Sequence, residues 1–200
     1  MSKELSVPMT SAAAHAATPA AWLRATGIVL AGSALVAVCA HVALPLYFTP
    51  VPLTLQTFAV LLLGLLLPPR LAAATLAAYL AEGALGLPVF APSPAIPGVA
   101  HLVGPTGGYL LAYPVAAMLI SVLWRRANRG RSFAGAALSA AAGSLVILAC
   151  GCLWLAALTH ASAASVLTLS VIPFLPGDAL KIAAAAGLAT GFQRLRRRAA

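Results

Sequence analysis

Six long apolar stretches run through most of the 200-residue chain and are separated by short connections. Their approximate bounds are 22–44, 53–67, 71–87, 106–124, 133–159 and 166–193. A helix of ~20 predominantly apolar residues crosses the hydrocarbon core of a bilayer. Backbone groups in lipid must bond to one another, which a helix achieves within one segment. The pattern therefore predicts an all-α polytopic membrane protein, a compact bundle of six transmembrane helices.

The composition excludes an ordinary soluble domain. Hydrophobic residues make up 62% of the chain and charged residues 8%, whereas soluble domains carry about 25% charged residues. The net charge of +9 would suggest nucleic acid in a soluble protein, but no basic stripe is interleaved with aromatic residues. No nucleic-acid partner is predicted. We interpret residues 1–200 as a single membrane domain in which residues 1–21 form a disordered cytoplasmic N-terminus.

The basic residues mark one side of the membrane. If Lys3 and Arg24 are placed in the cytoplasm, each connection that returns to that side is basic, and each outer connection lacks Lys and Arg. The basic residues of the returning connections and the C-terminus are Arg70, Arg125, Arg126, Arg129, Arg131, Arg194, Arg196, Arg197 and Arg198. The positive-inside rule thus predicts that both termini are cytoplasmic. A cleaved signal peptide is the alternative for the first stretch, since Val38 and Ala40 fit a small-residue cleavage pattern. The roughly twenty residues that precede this stretch disfavour it.

The longest outer connection, Gly86–Pro105, contains five prolines. A connection of this length without regular structure usually forms a lid or a binding loop. Its apolar side chains suit a loop that folds back over a cavity. The connection ends in the Gly-rich turn Gly104–Tyr109, which opens the fourth predicted helix and can offer backbone N–H groups to an anion.

One acid and one lysine lie inside the last apolar stretch. Asp178 and Lys181 are three residues apart and therefore share one face of a helix. A charge in hydrocarbon costs at least ~2.5–3.5 kcal/mol on insertion scales and usually marks a functional site. Pro176 and Gly177 come just before the pair and predict a helix break that aims a helix N-terminus into a pocket. We interpret Asp178 and Lys181 as the core of a ligand-binding pocket.

Three further polar residues lie inside apolar stretches. Gln56 falls one turn into the second predicted helix, and Tyr79 and Glu82 lie near the outer end of the third. Each of them is a candidate pocket residue. Each of them can instead hold neighbouring helices together through hydrogen bonds.

Motifs for catalysis and cofactor binding are absent from the sequence. The four histidines are scattered without an H-E-x-x-H motif, and neither a G-x-x-x-x-G-K-[ST] phosphate loop nor a G-x-S-x-G elbow occurs. Cys150 and Cys152 lack the spacing of a zinc site. We therefore predict neither enzyme activity nor a bound metal or cofactor.

Four segments of the chain carry a family resemblance. They are Val51–Phe58 (VPLTLQTF), Gly86–Phe90 (GLPVF), Gly104–Tyr109 (GPTGGY) and Phe174–Lys181 (FLPGDALK). Together and in this order they resemble the BioY family, the biotin-binding S components of energy-coupling factor (ECF) vitamin transporters, over about residues 25–193. The resemblance implies a six-helix protein of the bacterial cytoplasmic membrane that captures biotin from outside with high affinity.

The resemblance also implies roles for individual residues. Asp178 and Lys181 resemble the family's contacts to the polar head of the ligand. A carboxylate accepts from the ureido N–H groups of biotin, and an ammonium donates either to the ureido carbonyl or to the valerate carboxylate. The implied apolar walls are Tyr79, Leu87, Phe90 and Tyr109.

Partner proteins follow from the same resemblance. Import needs a transmembrane coupling subunit and a pair of ATPases on other chains, which agrees with the missing phosphate loop. Some members of the family are thought to act without dedicated partners. A self-sufficient secondary transporter, with the buried pair as a proton or cation relay, is therefore the alternative. An intramembrane enzyme would need a nucleophile or a set of metal ligands that the sequence lacks.

The placement of the arginines makes the topology testable. A reporter fused after Ala200 and a reporter inserted near Asn128 are expected to report the cytoplasm, because both positions adjoin arginine clusters. A reporter inserted near Ser93 is expected to report the outside. A cytoplasmic signal at Ser93 would show that the six-span topology is wrong.

Overall fold

Helices form most of the chain that the computed structural model describes, namely residues 18–92, 98–127 and 132–198. The helices are α1 (Pro19–His41), α2 (Gln56–Leu66), α3 (Pro69–Ala84), α4 (Ala100–Val103), α5 (Gly107–Ala127), α6 (Phe133–Thr159), α7 (Ala163–Ser170) and α8 (Leu175–Arg198). Strands β1 (Ala43–Leu44) and β2 (Leu53–Thr54) form a short antiparallel hairpin. A 3₁₀ turn, Ile172–Phe174, precedes α8.

Four of the described segments are long and apolar enough to cross a membrane. They are Pro19–His41, Gly107–Ala127, Phe133–Thr159 and Ala164–Arg198. Helices α2 and α3 are 11 and 16 residues long, below the ~20 residues of a simple span. Pro68 and Pro69 separate these two helices, because proline cannot continue a helix and suits the first turn of the next one. The prediction of a mainly helical protein with several membrane-spanning helices is therefore confirmed. The count of six spans stays a prediction.

The last apolar stretch, predicted over 166–193, is divided by a break in its helix. Helix α7 ends at Ser170, the 3₁₀ turn follows, and α8 begins at Leu175. Pro173 has no N–H group with which to continue α7, and Pro176 lies in the first turn of α8, where no N–H group is needed. The predicted break before Asp178 is therefore confirmed.

The ends of the apolar stretches hold more regular structure than predicted. The hairpin pairs Ala43 with Thr54, and α4 lies inside the connection that was expected to be irregular. Helix α1 begins at Pro19, inside the N-terminus predicted to be disordered over 1–21. The residues outside the described part are 1–17, 93–97, 128–131 and 199–200, which include Lys3, Ser93, Asn128, Arg129, Arg131 and Ala200.

Small residues let the long helices approach one another closely. A Cβ atom at Gly64 of α2 would lie 2.9 Å from Ile120 Cβ and 3.0 Å from the Ala117 carbonyl oxygen, both in α5. Gly143 of α6 faces the same Ile120 side chain. Helices α2, α5 and α6 therefore meet around one buried isoleucine. Helix α8 packs against α2 and α6, which brings its first turns to the side chains of both.

Gly64→Ala is expected to lower the free energy of unfolding by about 1–3 kcal/mol, because the added methyl group overlaps a β-branched side chain and a backbone carbonyl. Gly187→Ala in α8 is the control, since nothing lies within 4 Å of a Cβ atom at that position. Thermal unfolding of the detergent-purified variants measures both effects. An unchanged midpoint for Gly64→Ala would contradict the close packing of α2 against α5.

Candidate ligand-binding site

A cavity of about 230 Å³ lies among the hairpin, the connection between α3 and α5, and helices α2, α5, α6 and α8. Its volume approaches the ~300–1,000 Å³ of typical small-molecule sites. Its lining comes from elements that are distant in sequence, including Val51 beside the hairpin, Tyr113 of α5, Ile147 of α6 and Asp178 of α8. A mainly apolar wall with a few converging polar side chains is typical of a site for a small organic ligand.

Asp178 and Lys181 are the charged residues of the cavity lining. The two residues lie in the first two turns of α8, and Lys181 Nζ is 3.5 Å from Asp178 Oδ1. Lys181 Nζ donates a shorter hydrogen bond, 2.8 Å, to Thr57 Oγ1 of α2. The Ser144 hydroxyl of α6 donates to Asp178 Oδ2 at 2.7 Å. Helix α8 therefore carries both charges, and α2 and α6 each supply one hydroxyl partner.

The two charged groups keep unused hydrogen-bonding capacity. An ammonium has three N–H donors and a carboxylate has about four acceptor positions. The Thr57 and Ser144 contacts, together with the 3.5 Å approach of Lys181 to Asp178, use only part of this capacity. A ligand that offers both a donor and an acceptor can use the remainder.

Gln56 also lines the cavity. Its amide N–H donates to the Tyr79 hydroxyl, and its amide oxygen accepts from Thr54 Oγ1 at 3.1 Å. The Tyr79 hydroxyl in turn donates to the Val89 carbonyl at 3.0 Å. Tyr79 is fully buried behind Gln56 and does not belong to the cavity lining. It holds Gln56 and ties α2 to the connection that follows α3.

Aromatic side chains shape another part of the cavity wall. Tyr109 lines the cavity and its hydroxyl donates to the Ser170 carbonyl at 2.7 Å. The Tyr109 ring lies against the backbone of Gly151, where any Cβ atom would overlap it, and 6.2 Å from the Phe174 ring. This contact explains how the end of α7 and the 3₁₀ turn are held against α5.

Phe90 supports the wall from behind. Its ring meets the Tyr79 ring edge-on at 5.4 Å and the His101 ring at 5.4 Å. Phe90 is buried and is absent from the cavity lining, whereas His101 and the adjoining Ala91 belong to it. Phe90 therefore contacts residues that face the cavity and does not face it itself.

Glu82 lies outside the cavity lining. Both of its carboxylate oxygens accept from the Ser33 hydroxyl of α1, at 2.8 and 2.9 Å. Glu82 therefore points towards the interface between α1 and α3. A hydrogen bond between neighbouring helices was the alternative role that the sequence left open for this residue. Leu87, the other implied wall residue, is exposed and does not line the cavity.

The glycines of the Gly104–Tyr109 turn allow close packing. A Cβ atom at Gly107 would overlap the Leu102 carbonyl, and a Cβ atom at Gly108 would overlap the Trp154 side chain. The Trp154 indole N–H donates to the Gly104 carbonyl at 2.9 Å. The turn is thereby fastened to α6, and its Pro105 and Thr106 line the cavity.

Sequence reasoning missed the partners of the charged pair. Thr57 and Ser144 lie 124 and 34 residues from the groups that they contact. Hydroxyl residues are common in transmembrane helices, and no local spacing relates these two to α8. Within residues 18–92, 98–127 and 132–198, no group of three or more His, Cys, Asp or Glu side chains is placed to hold a metal ion.

A model of the BioY family matches residues 9–198 of this chain. The chain belongs to the BioY family. A protein of Pyrococcus horikoshii named "Probable biotin transporter BioY" is 40% identical over 144 residues, which cover 72% of this chain and 82% of that relative. The "Biotin transporter BioY" of Thermotoga maritima is 36% identical over 163 residues, which cover 82% of this chain and 92% of that relative.

The fold of this BioY family member is also found in a solved structure. The crystal structure of "the S-component for biotin from an ECF-type ABC transporter" matches with a TM-score of 0.79 at 23% sequence identity. The match covers 90% of this chain and 95% of the other chain. The family resemblance that the four sequence segments carry is therefore confirmed, and the S-component fold with it.

Asp178→Asn is expected to lower the free energy of unfolding by about 3–5 kcal/mol, because it leaves the buried Lys181 ammonium without its carboxylate. Adding Lys181→Met removes the stranded charge, so the double variant is expected to recover much of the lost stability. Thermal unfolding midpoints of the wild type and the two variants check this order. A single Asp178→Asn variant as stable as the wild type would show that the two charges do not depend on each other.

Proposed function

We propose that this chain binds biotin and mediates its uptake across the membrane as the substrate-binding subunit of an ECF-type ABC transporter. The observation that carries this proposal is the Asp178–Lys181 pair in the lining of a largely apolar cavity, in a chain of the BioY family. The named relatives and the matching S component support the choice of biotin.

The chemistry of biotin suits both the charged pair and the apolar walls of the cavity. The ureido group carries N–H donors and a carbonyl acceptor on neighbouring atoms, and a carboxylate and an ammonium 3.5 Å apart can meet both at once. The fused rings and the valerate chain are apolar and suit walls such as Leu110, Leu148 and Phe174. We therefore place the ureido head at Asp178 and Lys181 and the valerate chain along the apolar walls.

The proposed site also includes residues that line the cavity without charge. Gln56 and Tyr109 both face the cavity and have their polar groups engaged by the protein. We propose that they contact the ligand mainly through their surfaces. Tyr79 and Phe90 act on the ligand through Gln56, Val89 and His101, which they contact.

We further propose six crossings with both termini in the cytoplasm. Helices α7 and α8 would together make the sixth crossing, and the arginines of α8 would end it on the inner side. In this topology the hairpin that follows α1 and the start of α8 lie at the outer side, so the cavity would face the outside. The connection between α3 and α5, which lines the cavity through Pro92 and His101, is placed to act as a lid.

Partner subunits supply the energy in this proposal. The sequence has no phosphate loop, so a pair of ATPases and a transmembrane coupling subunit on other chains would drive import. The partners are proposed from the name of the matching S component. Biotin uptake into proteoliposomes that contain this chain alone would favour the alternative, a secondary transporter.

Titration of the detergent-purified protein with biotin by calorimetry tests the proposed function. The wild type is expected to bind, and the double variant Asp178→Asn with Lys181→Met is expected to bind about two to four decades more weakly. Each lost hydrogen bond to a charged group contributes roughly 1.5–3 kcal/mol, and ~1.4 kcal/mol is a factor of ten.

Leu180→Ala is the matched control for this titration. Leu180 lies in α8 between the two charged residues, and its side chain is 74% exposed, so its truncation leaves the pair in place. The control variant is expected to bind like the wild type. A wild type that gives no binding heat with biotin at any temperature tried would overturn the proposed function, and a double variant with wild-type affinity would show that the site is elsewhere.

A further inference from the structure

Ser144 departs from the usual behaviour of a hydroxyl residue inside a helix. In such positions the hydroxyl commonly bonds to the carbonyl four residues earlier in its own helix. Ser139 and Thr159 of the same helix, α6, do so with the carbonyls of Gly135 and Leu155, each at 2.8 Å. Ser144 instead donates to Asp178 Oδ2 of α8 at 2.7 Å. Its hydroxyl is therefore committed to a neighbouring helix.

The packing of α6 sets the position of Ser144. The preceding residue, Gly143, lies against Ile120 of α5, where a larger side chain would overlap. Ser144 itself is 4% exposed and does not belong to the cavity lining. It therefore reaches Asp178 from outside the lining, and a ligand held by the lining residues would not touch it.

The Ser144 contact fixes which carboxylate oxygen remains available. A short hydrogen bond to an ionised carboxylate is among the stronger hydrogen bonds in proteins. With Oδ2 held by Ser144, Oδ1 is the oxygen that approaches Lys181, at 3.5 Å. Without the hydroxyl, the carboxylate can turn about its terminal torsion, which is broad for aspartate. The carboxylate would then populate several orientations, of which only one suits the ligand.

We propose that Ser144 is a positioning residue for biotin binding, which holds the Asp178 carboxylate so that Oδ1 faces the ureido head and Lys181. This role rests on the proposed function. Ser144 would not contact the ligand, but the loss of its hydroxyl would still weaken biotin binding.

Ser144→Ala and Ser139→Ala form a matched pair for the test. Both serines lie in α6 and both are 4% exposed, but only Ser144 reaches Asp178. Calorimetric titration with biotin is expected to show a loss of about tenfold in affinity for Ser144→Ala, which corresponds to ~1.4 kcal/mol. Ser139→Ala is expected to bind like the wild type. Ser144→Thr, which keeps a hydroxyl, is expected to retain most of the affinity.

Two further variants separate positioning from a merely structural role. Ser144→Cys nearly keeps the size of serine but offers only a weak S–H donor, so it is expected to fold and still to bind biotin more weakly. In an Asp178→Asn background, Ser144→Ala is expected to cause no further loss of biotin affinity, because the carboxylate that it positions is already gone. A structural role would instead weaken binding equally in both backgrounds.

The outcomes distinguish this inference from the proposed function. If the wild type binds biotin and Ser144→Ala and Ser144→Cys bind equally well, Ser144 has no positioning role and the proposed function stands. An equal loss in the two backgrounds also overturns the positioning role. If the wild type does not bind biotin, the proposed function fails and the role of Ser144 in biotin binding fails with it.

Discussion

The buried pair of Asp178 and Lys181 is the constraint on which the rest of the site depends. Charges removed from water must be compensated by partners with good geometry, or the fold loses stability. In this chain Thr57 and Ser144 supply two of those partners from α2 and α6. The need to compensate one pair therefore fixes two helices around the start of α8, and the cavity is the space left beside them.

Irregular backbone gathers around the same cavity. The hairpin, the turn before α5 and the 3₁₀ turn before α8 all lie beside it, and Val51, Pro105 and Phe174 from these segments line it. In lipid, backbone that is not helical is tolerated only where it is buried in protein or borders a cavity. The prolines at these places end helices without stranding donors. The breaks in the helices therefore lie where the cavity is, because only there can non-helical backbone avoid contact with lipid.

The features that could be predicted from the sequence are those that depend on local sequence pattern. Helix α6 occupies 133–159 as expected, since a long apolar run that follows an arginine cluster leaves few alternatives, and Asp178 and Lys181 share one helix face because three residues make nearly one turn. The break before Asp178 was predicted from Pro176 and Gly177, whereas the separate short helix α7 and the 3₁₀ turn Ile172–Phe174 were not. Hydropathy is averaged over a window and does not report how a single proline divides an apolar stretch. The contacts of Ser144 and Thr57 depend on tertiary packing, which no spacing in the sequence encodes.

The charge balance of the site determines which ligands it can prefer. Asp178 and Lys181 sum to zero, so an anion approaching Lys181 also meets the nearby carboxylate, and a cation approaching Asp178 meets the ammonium. A neutral group with adjacent donor and acceptor atoms meets both charges favourably and needs less desolvation than an ion does. Gln56 adds little to this preference, since both of its amide atoms already have protein partners. The pair therefore suits a neutral head such as the ureido group of the proposed ligand, and Thr57 and Ser144 are the side chains that bond to its two members.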